Sequence, residues 1–205
     1  MTWLKICGLT REEDALFAAE YGADFLGFIF VPSTPRFIEP ERAAEIAARV
    51  KERENPPKIV GVFRDSSPEY VKEIAALVGL DVAQLHGNET DEDVQRLEMP
   101  VIKTFRVGDT LPDTTAHPSA AWLLFDTFDE RRTGGTGRRF DWSLLSLYSR
   151  SKPFFLSGGI GSDNVGAAVS LVRPDGLDVS SSVESEPGVK DHAKLQQLLE
   201  RVKRT

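Results

Sequence analysis

Polar side chains follow the short apolar runs of this sequence, at the points where the predicted strands end. Cys7 and Asp126 are residue types that can exchange protons with a bound ligand, and Arg36 is one that can bind an anion. Taken singly, each has a commoner structural role, because a strand cysteine is usually a small buried residue and an aspartate is usually a turn cap. A chain with a purely structural role has no need of such residues at every strand end. The full set is Cys7, Arg36, Asp65, Gln84, His86, Arg106, Asp126, Ser157 and Ser180.

Glycine-bearing turns add a second chemical pattern. Residues 134–137 read GGTG, residues 157–161 read SGGIG, and three serines occupy 180–182. Glycine lets backbone N–H groups approach an anion closely, and the N-terminus of a following helix adds its positive end. Neither glycine string matches the dinucleotide GxGxxG pattern or the P-loop. The turns after the last two predicted strands therefore indicate a phosphate site of the kind that barrels form there.

The elements that must position these residues alternate along the chain. Apolar, β-branched or aromatic runs predict strands, and the longer segments of helical period between them predict helices, which together are typical of parallel βα units. The predicted strands are 3–7, 25–30, 58–63, 81–86, 101–105, 121–126, 153–157 and 177–180. The predicted helices are 11–21, 40–53, 68–78, 90–97, 141–148, 163–172 and 191–203.

This alternation predicts a compact (β/α)₈ TIM barrel that forms one domain over residues 1–205. The fold typically needs about 250 residues, so the connections must be short. Residues 109–119 have no helical period, which indicates a missing or degenerate fifth helix. A doubly wound open sheet fits the same periodicity, and the polar residues at the carboxyl ends of the strands favour the barrel.

At the first predicted helix, Thr10 precedes Glu13 by the spacing of a capping box, so we expect Thr10 to cap that helix.

Composition limits the classes of ligand. The chain has 25 Lys and Arg against 32 Asp and Glu, a net charge of -7, so no global field favours nucleic acid or an anionic membrane. A single cysteine and three histidines exclude an intrachain disulfide and give no metal-site pattern. The first residues lack the pattern of a secretory signal, and no stretch is apolar enough to span a membrane. We expect a cytoplasmic protein that captures any anionic ligand locally.

Nine local strings, taken together in identity, order and spacing, are more specific than the single residues. They are KICG (5–8), GFIF with Pro35 and Arg36, GVF (61–63), QLHG (84–87), Asp126, GGTG (134–137) with FDW (140–142), SGG (157–159) with Asn164, DVSS (178–181) with Val183 and Glu184, and Pro187-Gly188 with Lys190-Asp191. In these strings the chain resembles the phosphoribosylanthranilate isomerases of tryptophan biosynthesis along essentially its whole length. The resemblance implies an Amadori rearrangement of N-(5′-phosphoribosyl)anthranilate to 1-(2-carboxyphenylamino)-1-deoxyribulose 5-phosphate, with no cofactor and no metal.

The resemblance also implies a role for each candidate residue. Asp126 corresponds to the general acid and Cys7 to the general base, and Arg36 is expected to pair with the anthranilate carboxylate. Asp126 needs a raised pKa to hold a proton near neutrality, and Cys7 is little ionised unless Lys5, Arg36 or a turn dipole lowers its pKa. Gln84, His86 and Asp178 are further substrate-binding candidates. The expected phosphate ligands are Gly135, Gly158, Gly159, Ser180 and Ser181.

Two positions depart from the family pattern, mildly at Ser157, where the family usually has alanine, and more strongly at Ser182. Ser182 stands where the family usually has glycine, so its Cβ could narrow the phosphate turn or force another backbone angle. The alternative to the isomerase is a divergent phosphate-binding barrel, acting either on a different phosphosugar or as a non-catalytic ligand-binding module. The small-molecule substrate is the expected partner, and the chain is expected to be a monomer or a homodimer.

Overall fold

The structure, a computed structural model that describes residues 2–127 and 141–203, is built on a closed barrel of eight parallel strands. β8 pairs with β1, so the sheet has no free edge and the open-sheet alternative is wrong. The strands are β1 (Trp3–Cys7), β2 (Phe25–Ile29), β3 (Lys58–Phe63), β4 (Val82–Leu85), β5 (Val101–Val107), β6 (Trp122–Thr127), β7 (Phe154–Leu156) and β8 (Gly176–Val179). The predicted barrel and its eight strands are confirmed.

The helices lie between the strands at the predicted places. Residues 108–121, between β5 and β6, contain no helix, which confirms the missing fifth helix. In the described residues between β6 and β7, the helix predicted at 141–148 is a short 3₁₀ helix, Trp142–Leu147. The α-helices of the described residues are α1 (Glu12–Glu20), α2 (Pro40–Lys51), α3 (Pro68–Val78), α4 (Asp91–Leu97), α5 (Val165–Val172) and α6 (His192–Val202). None of them is both long and apolar enough to cross a bilayer.

An apolar layer inside the barrel supports a polar layer above it. The apolar layer consists of the buried side chains of Phe25, Val60, Val82, Ile102, Leu124 and Phe155. Side chains alternate between the two faces of a strand, so the residue two positions further along also faces the barrel interior. Those positions hold Gly27, Val62, Gln84, Thr104, Asp126 and Ser157. The strand period therefore places Gln84, Asp126 and Ser157 in one layer, nearer the carboxyl ends of the strands.

The capping box predicted at Thr10 is wrong. Thr10 Oγ1 donates instead to the carbonyl oxygen of Gly188 at 2.6 Å, and Arg11, with no side-chain cap, precedes α1. A capping box does form at α4, where Thr90 Oγ1 accepts from Asp93 N–H and the Asp93 carboxylate accepts from Thr90 N–H. The spacing was therefore a valid signal, but at Thr10 a tertiary contact uses the hydroxyl.

A small antiparallel hairpin follows β8 and was not predicted from the sequence. After a 3₁₀ turn at Ser181–Val183, β9 (Glu184–Glu186) pairs with β10 (Val189–Lys190). Gly188 has a φ of +88° in the connecting turn, a backbone conformation that favours glycine. The hairpin brings Glu184 and Lys190 to the ends of β1 and β8, where both are buried.

Candidate active site

Lys5, Cys7 and Asp178 form a buried group where β1 meets β8. Lys5 Nζ donates to Asp178 Oδ1 at 2.7 Å, and the Lys5 side chain is fully buried. A Cβ built on Gly27 of β2 would lie 2.9 Å from Cys7 Sγ and 3.1 Å from Lys5 Nζ. The thiol and the ammonium therefore share the space that the missing side chain of Gly27 leaves open.

Burial sets the ionisation of Cys7. Loss of hydration raises the pKa of the Cys7 thiol, the Asp178 charge raises it further, and the Lys5 and Lys190 charges oppose them without reversing the direction. The pKa-lowering influence of Lys5 or Arg36 considered from the sequence is thus outweighed. Burial alone would lower the pKa of Lys5, but the charge of Asp178 and its hydrogen bond to the ammonium act in the other direction, and the pKa is raised. In the unliganded protein Cys7 is a neutral thiol beside a charged ammonium.

Asp126 lies at the end of β6 with its carboxyl largely buried. Its Oδ1 accepts the Thr127 N–H at 2.8 Å. Burial, followed by the charge of Asp178, raises the pKa of Asp126 to about 6, while the Thr127 N–H acts in the other direction. About one carboxyl in ten is then protonated at pH 7. This is the direction that a general acid requires.

Gln84 and His86, at the end of β4, approach Thr104 and Asp126. His86 Nε2 is 3.6 Å from Asp126 Oδ2, and Gln84 Nε2 is 3.4 Å from His86 Nδ1 and 3.3 Å from Thr104 Oγ1. Burial, followed by the charge of Arg106, lowers the pKa of His86 to about 3. His86 is therefore neutral near pH 7, and its approach to Asp126 is not an ion pair.

Arg36, beyond the end of β2, is held by a glutamate of the hairpin. Its Nε lies 2.9 and 3.1 Å from the two carboxylate oxygens of Glu184, and its Nη2 lies 2.6 Å from Oε2. Gly8 has a φ of +74°, and a Cβ there would lie 2.7 Å from Arg36 Cδ. The sequence predicts a role for Arg36 but not this partner, since the strands of the hairpin are too short to show a period.

The turns after β7 and β8 lie beside the end of β6. Gly158 and Gly159 have φ values of +87° and +71°, and a Cβ on Gly158 would overlap Thr127 Oγ1. Thr127 Oγ1 and Ser180 Oγ are buried and have no hydrogen-bond partner among the described residues. Unpaired buried hydroxyls call for a polar ligand or water. Ser181 follows Ser180 in the same turn, whereas Gly135 lies outside the described residues.

Two further strand-end residues have contacts of their own. Ser182 does not take the left-handed backbone that a glycine would allow, and its hydroxyl donates to the carbonyl oxygen of Ile160. It therefore links the β7 and β8 turns without distorting the backbone.

Asp65, at the end of β3, has a structural contact. Its Oδ1 accepts the Asn88 N–H at 2.7 Å, so this strand-end aspartate stabilises a loop.

Two polar residues that contact members of the site, Thr104 and Lys190, are not among the residues predicted from the sequence. Thr104 contacts Gln84, and Lys190 Nζ donates to the carbonyl oxygen of Cys7 at 2.7 Å. Strand alternation was a sufficient signal for Thr104, because it lies two residues after the buried Ile102. Lys190 had no such signal, since it reaches the site through the hairpin.

Comparison with known proteins agrees with this geometry. The family model described as N-(5'phosphoribosyl)anthranilate (PRA) isomerase matches residues 4–201. The N-(5'-phosphoribosyl)anthranilate isomerase of Geotalea uraniireducens is 44% identical over 206 residues, covering 99% of each chain.

Solved structures show the same relationship. The phosphoribosyl anthranilate isomerase of Thermus thermophilus superimposes with a TM-score of 0.88 at 38% identity and covers 99% of both chains. A second solved isomerase, in complex with reduced 1-(o-carboxyphenylamino)-1-deoxyribulose 5-phosphate, has a TM-score of 0.84 at 37% identity over 100% of both chains. Sequence and fold agree, and the chain belongs to the N-(5'-phosphoribosyl)anthranilate isomerase family.

Proposed function

We propose that this chain converts N-(5′-phosphoribosyl)anthranilate to 1-(2-carboxyphenylamino)-1-deoxyribulose 5-phosphate, with Asp126 as general acid and Cys7 as general base. The observation that carries the proposal is the pairing, inside one barrel, of a buried thiol with a carboxyl whose pKa is raised to about 6. Membership of the isomerase family supports the substrate, as does the product-like ligand of the solved relative.

The first half of the reaction needs a proton donor. Asp126 gives its proton to the furanose ring oxygen, the bond from that oxygen to C1′ breaks, and the aniline nitrogen forms a Schiff base with C1′. The burial that raises the pKa of Asp126 keeps part of the carboxyl protonated near neutrality. His86 is neutral at this pH and so does not compete as a charged donor.

The second half needs a base. The Cys7 thiolate removes the proton from C2′, and the resulting enolamine takes a proton at C1′ and loses the proton of its C2′ hydroxyl to become the ketone. Because the pKa of Cys7 is raised by burial, only a small fraction is ionised in the free protein. Lys5 is the cation that supports this thiolate, since it is buried, charged and shares the space above Gly27 with the sulfur.

The remaining candidates position the substrate. Backbone N–H groups of the glycine turns, with Ser180 and Ser181, receive the phosphate, and the unpaired hydroxyls of Thr127 and Ser180 supply further donors. Gly135, from the segment after β6, completes this set.

Other residues contact the rest of the substrate. Arg36 receives the anthranilate carboxylate, and Gln84, His86 and Asp178 contact the sugar or orient its neighbours. No cofactor and no metal takes part in this scheme. The phosphate ligands are Gly135, Gly158, Gly159, Ser180 and Ser181.

A fluorescence assay tests the proposal directly. The purified chain should consume N-(5′-phosphoribosyl)anthranilate, seen as decay of the anthranilate-type fluorescence. Cys7→Ala and Asp126→Asn should each lower kcat by about 10²-fold or more, the usual scale of acid–base catalysis. Arg36→Ala should mainly raise KM. Asp109→Asn, at an exposed position beyond β5, is the matched control and should behave as wild type.

The alternatives give different results in the same assay. A binding module would hold the substrate without consuming it, and an isomerase for another phosphosugar would leave this substrate unchanged while converting its own. Wild-type turnover in both Cys7→Ala and Asp126→Asn would contradict the assigned roles even if the substrate were consumed.

The proposal includes a cytoplasmic location, as a single-domain monomer or homodimer. Leu147, at the end of the 3₁₀ helix, and Leu171, on the neighbouring α5, are 72% and 66% exposed. Sedimentation equilibrium distinguishes the two states, and Leu171→Glu tests whether this apolar face joins two copies.

A further inference from the structure

We infer that Glu184 is a positioning residue for substrate binding: it holds one edge of the Arg36 guanidinium so that the adjacent edge presents two parallel N–H donors to the substrate carboxylate. The inference rests on the proposed function, in which Arg36 receives that carboxylate. It concerns a residue whose role neither the chemistry of the reaction nor the strand pattern indicates.

The geometry of the guanidinium leaves room for two carboxylates. Glu184 contacts Nε and Nη2, which form the side edge of the group. A guanidinium has five N–H donors in a fixed plane, so the end edge still offers one N–H of Nη1 and the second N–H of Nη2. A planar carboxylate can bind that edge with two parallel hydrogen bonds while Glu184 occupies the other. The ion pair seen in the free protein is therefore compatible with substrate binding.

Glu184 is itself fixed by a buried lysine. Lys190 Nζ lies 2.8 Å from Glu184 Oε1, 2.7 Å from the carbonyl oxygen of Cys7 and 3.4 Å from that of Ser180. The Gly188 N–H adds a contact to Oε1 at 3.3 Å. The carboxylate that orients Arg36 is thus tied to the ends of β1 and β8, which carry the proposed base and phosphate turn.

The charges in this network suit an anion-binding site. Arg36 and Lys190 contribute two positive charges and Glu184 one negative charge, so one positive charge remains for the ligand. The side chains of Lys190 and Glu184 are 0% and 4% exposed, and that of Arg36 is 14% exposed. Arg36 is thus the member of the three that is open to the solvent. A buried ion pair adds little net stability in general, which favours a positional role over a stabilising one.

The test measures the two ends of the substrate separately. Binding of anthranilate and of ribose 5-phosphate is measured by calorimetry in wild type, Glu184→Gln, Arg36→Ala and the double variant, together with KM and kcat for the complete substrate. We expect Glu184→Gln to weaken anthranilate binding and to raise KM by about tenfold, with kcat within about threefold. Ribose 5-phosphate binding should change by less than about twofold. Glu186→Gln, exposed on the same hairpin, is the control and should match wild type.

The double variant shows whether Glu184 acts through Arg36. In the Arg36→Ala background, Glu184→Gln should change anthranilate binding by less than about twofold, since the group it orients is gone. An equal loss in both backgrounds, or a matching loss of ribose 5-phosphate binding, would overturn the inference. Thermal unfolding identifies any variant that fails to fold. Glu184→Asp, which keeps the charge but shortens the side chain, then takes its place with an expected rise in KM of about threefold.

The two proposals fail differently. If the wild type binds both probes but does not consume the substrate, the proposed function is wrong, and the anthranilate measurements still decide the role of Glu184. If the wild type does not bind anthranilate, or Glu184→Asp and Glu184→Gln both bind it as wild type does, the inference is wrong, whatever the turnover.

Discussion

The Lys5 ammonium and the Asp178 carboxylate meet at 2.7 Å inside the barrel, beside both proposed catalytic groups. The Asp178 charge raises the pKa of Cys7 and that of Asp126, whereas the Lys5 charge lowers the pKa of Cys7. The pair therefore favours a protonated acid while limiting the rise in the pKa of the thiol. One buried ion pair acts on both halves of the reaction.

Lys5→Met should affect stability and thiol ionisation together. It leaves Asp178 as a buried carboxylate without its cation, which costs about 3–5 kcal/mol of the free energy of unfolding. It also removes the main charge that opposes the effect of burial on Cys7, so the pKa of the thiol should rise further. Urea unfolding and the pH dependence of thiolate absorbance measure the two effects. Lys72→Met, at an exposed position, should change neither.

The pH profile of kcat/KM should be level over a wide range. The active form has Asp126 protonated and Cys7 ionised, yet the pKa of Asp126 is the lower of the two. Between the two values, each gain in thiolate is matched by an equal loss of protonated carboxyl. We expect kcat/KM to rise up to about pH 6, to stay level, and to fall only above the raised pKa of the thiol. A profile that falls above pH 6 would contradict the assignment of Cys7 as the base.

Asp178→Asn should move the acidic limb of that profile. Asp178 raises the pKa of Asp126 through its charge, so its removal should shift the limb near pH 6 to lower pH. The variant is checked for folding by near-ultraviolet circular dichroism, since Lys5 loses its partner. If the limb stays in place in the folded variant, Asp126 is not the group that titrates there.

Asp126→Asn should stabilise the protein at alkaline pH. The pKa of Asp126 in the folded state, about 6, lies above the ordinary value of 3.8, so ionisation of this group opposes folding as pH rises. The gain should be about 2–3 kcal/mol at pH 8 and should disappear at about pH 3, below the ordinary pKa, where both states are protonated. Chemical unfolding at the two pH values measures it.

Asp93→Asn is the control for that experiment, because the pKa of Asp93 is lowered whereas that of Asp126 is raised. Hydrogen bonds from Thr90 lower the pKa of Asp93, so loss of its charge should destabilise the protein at pH 8. Both variants shifting in the same direction would contradict the interpretation.

Gly8→Ala should weaken substrate binding as well as stability. The φ of +74° strains any other residue, and the added Cβ would lie 2.7 Å from Arg36 Cδ. We expect KM to rise about tenfold because Arg36 is displaced. Gly79→Ala is the matched control, since its φ is +70° but its Cβ would lie at an ordinary 3.5 Å from Lys51 Nζ. Both should lose about 1–3 kcal/mol of stability, and only Gly8→Ala should alter KM.

Elements with a strong period could be predicted closely from the sequence. The predicted strand Lys58–Phe63 coincides with β3, because its apolar residues form a short continuous run. The predicted helix Pro68–Val78 coincides with α3, because its apolar residues recur every three or four positions. The hairpin was missed, since strands of three and two residues are too short to show alternation. Thr10 was misassigned because a contact with Gly188, distant in sequence, took its hydroxyl.

The site could be predicted as a set of positions but not as a set of ionisation states. The residues at the strand ends were recognisable, as was the need for a raised pKa at Asp126. The direction of the pKa shift of Cys7 depends on how completely the folded chain buries the end of β1. The partner of Arg36 likewise depends on where the hairpin carries Glu184.

Closure of the barrel has a consequence for how the protein is made. β1 pairs with β8, and Lys190 binds the backbone of Cys7 across 183 residues of sequence. On the ribosome, the first strand is synthesised long before these partners emerge from the exit tunnel. Cys7 therefore remains open to oxidants and alkylating agents in the nascent chain until β8 and the hairpin have emerged. Ribosome-bound intermediates should be the forms of this protein most sensitive to thiol damage.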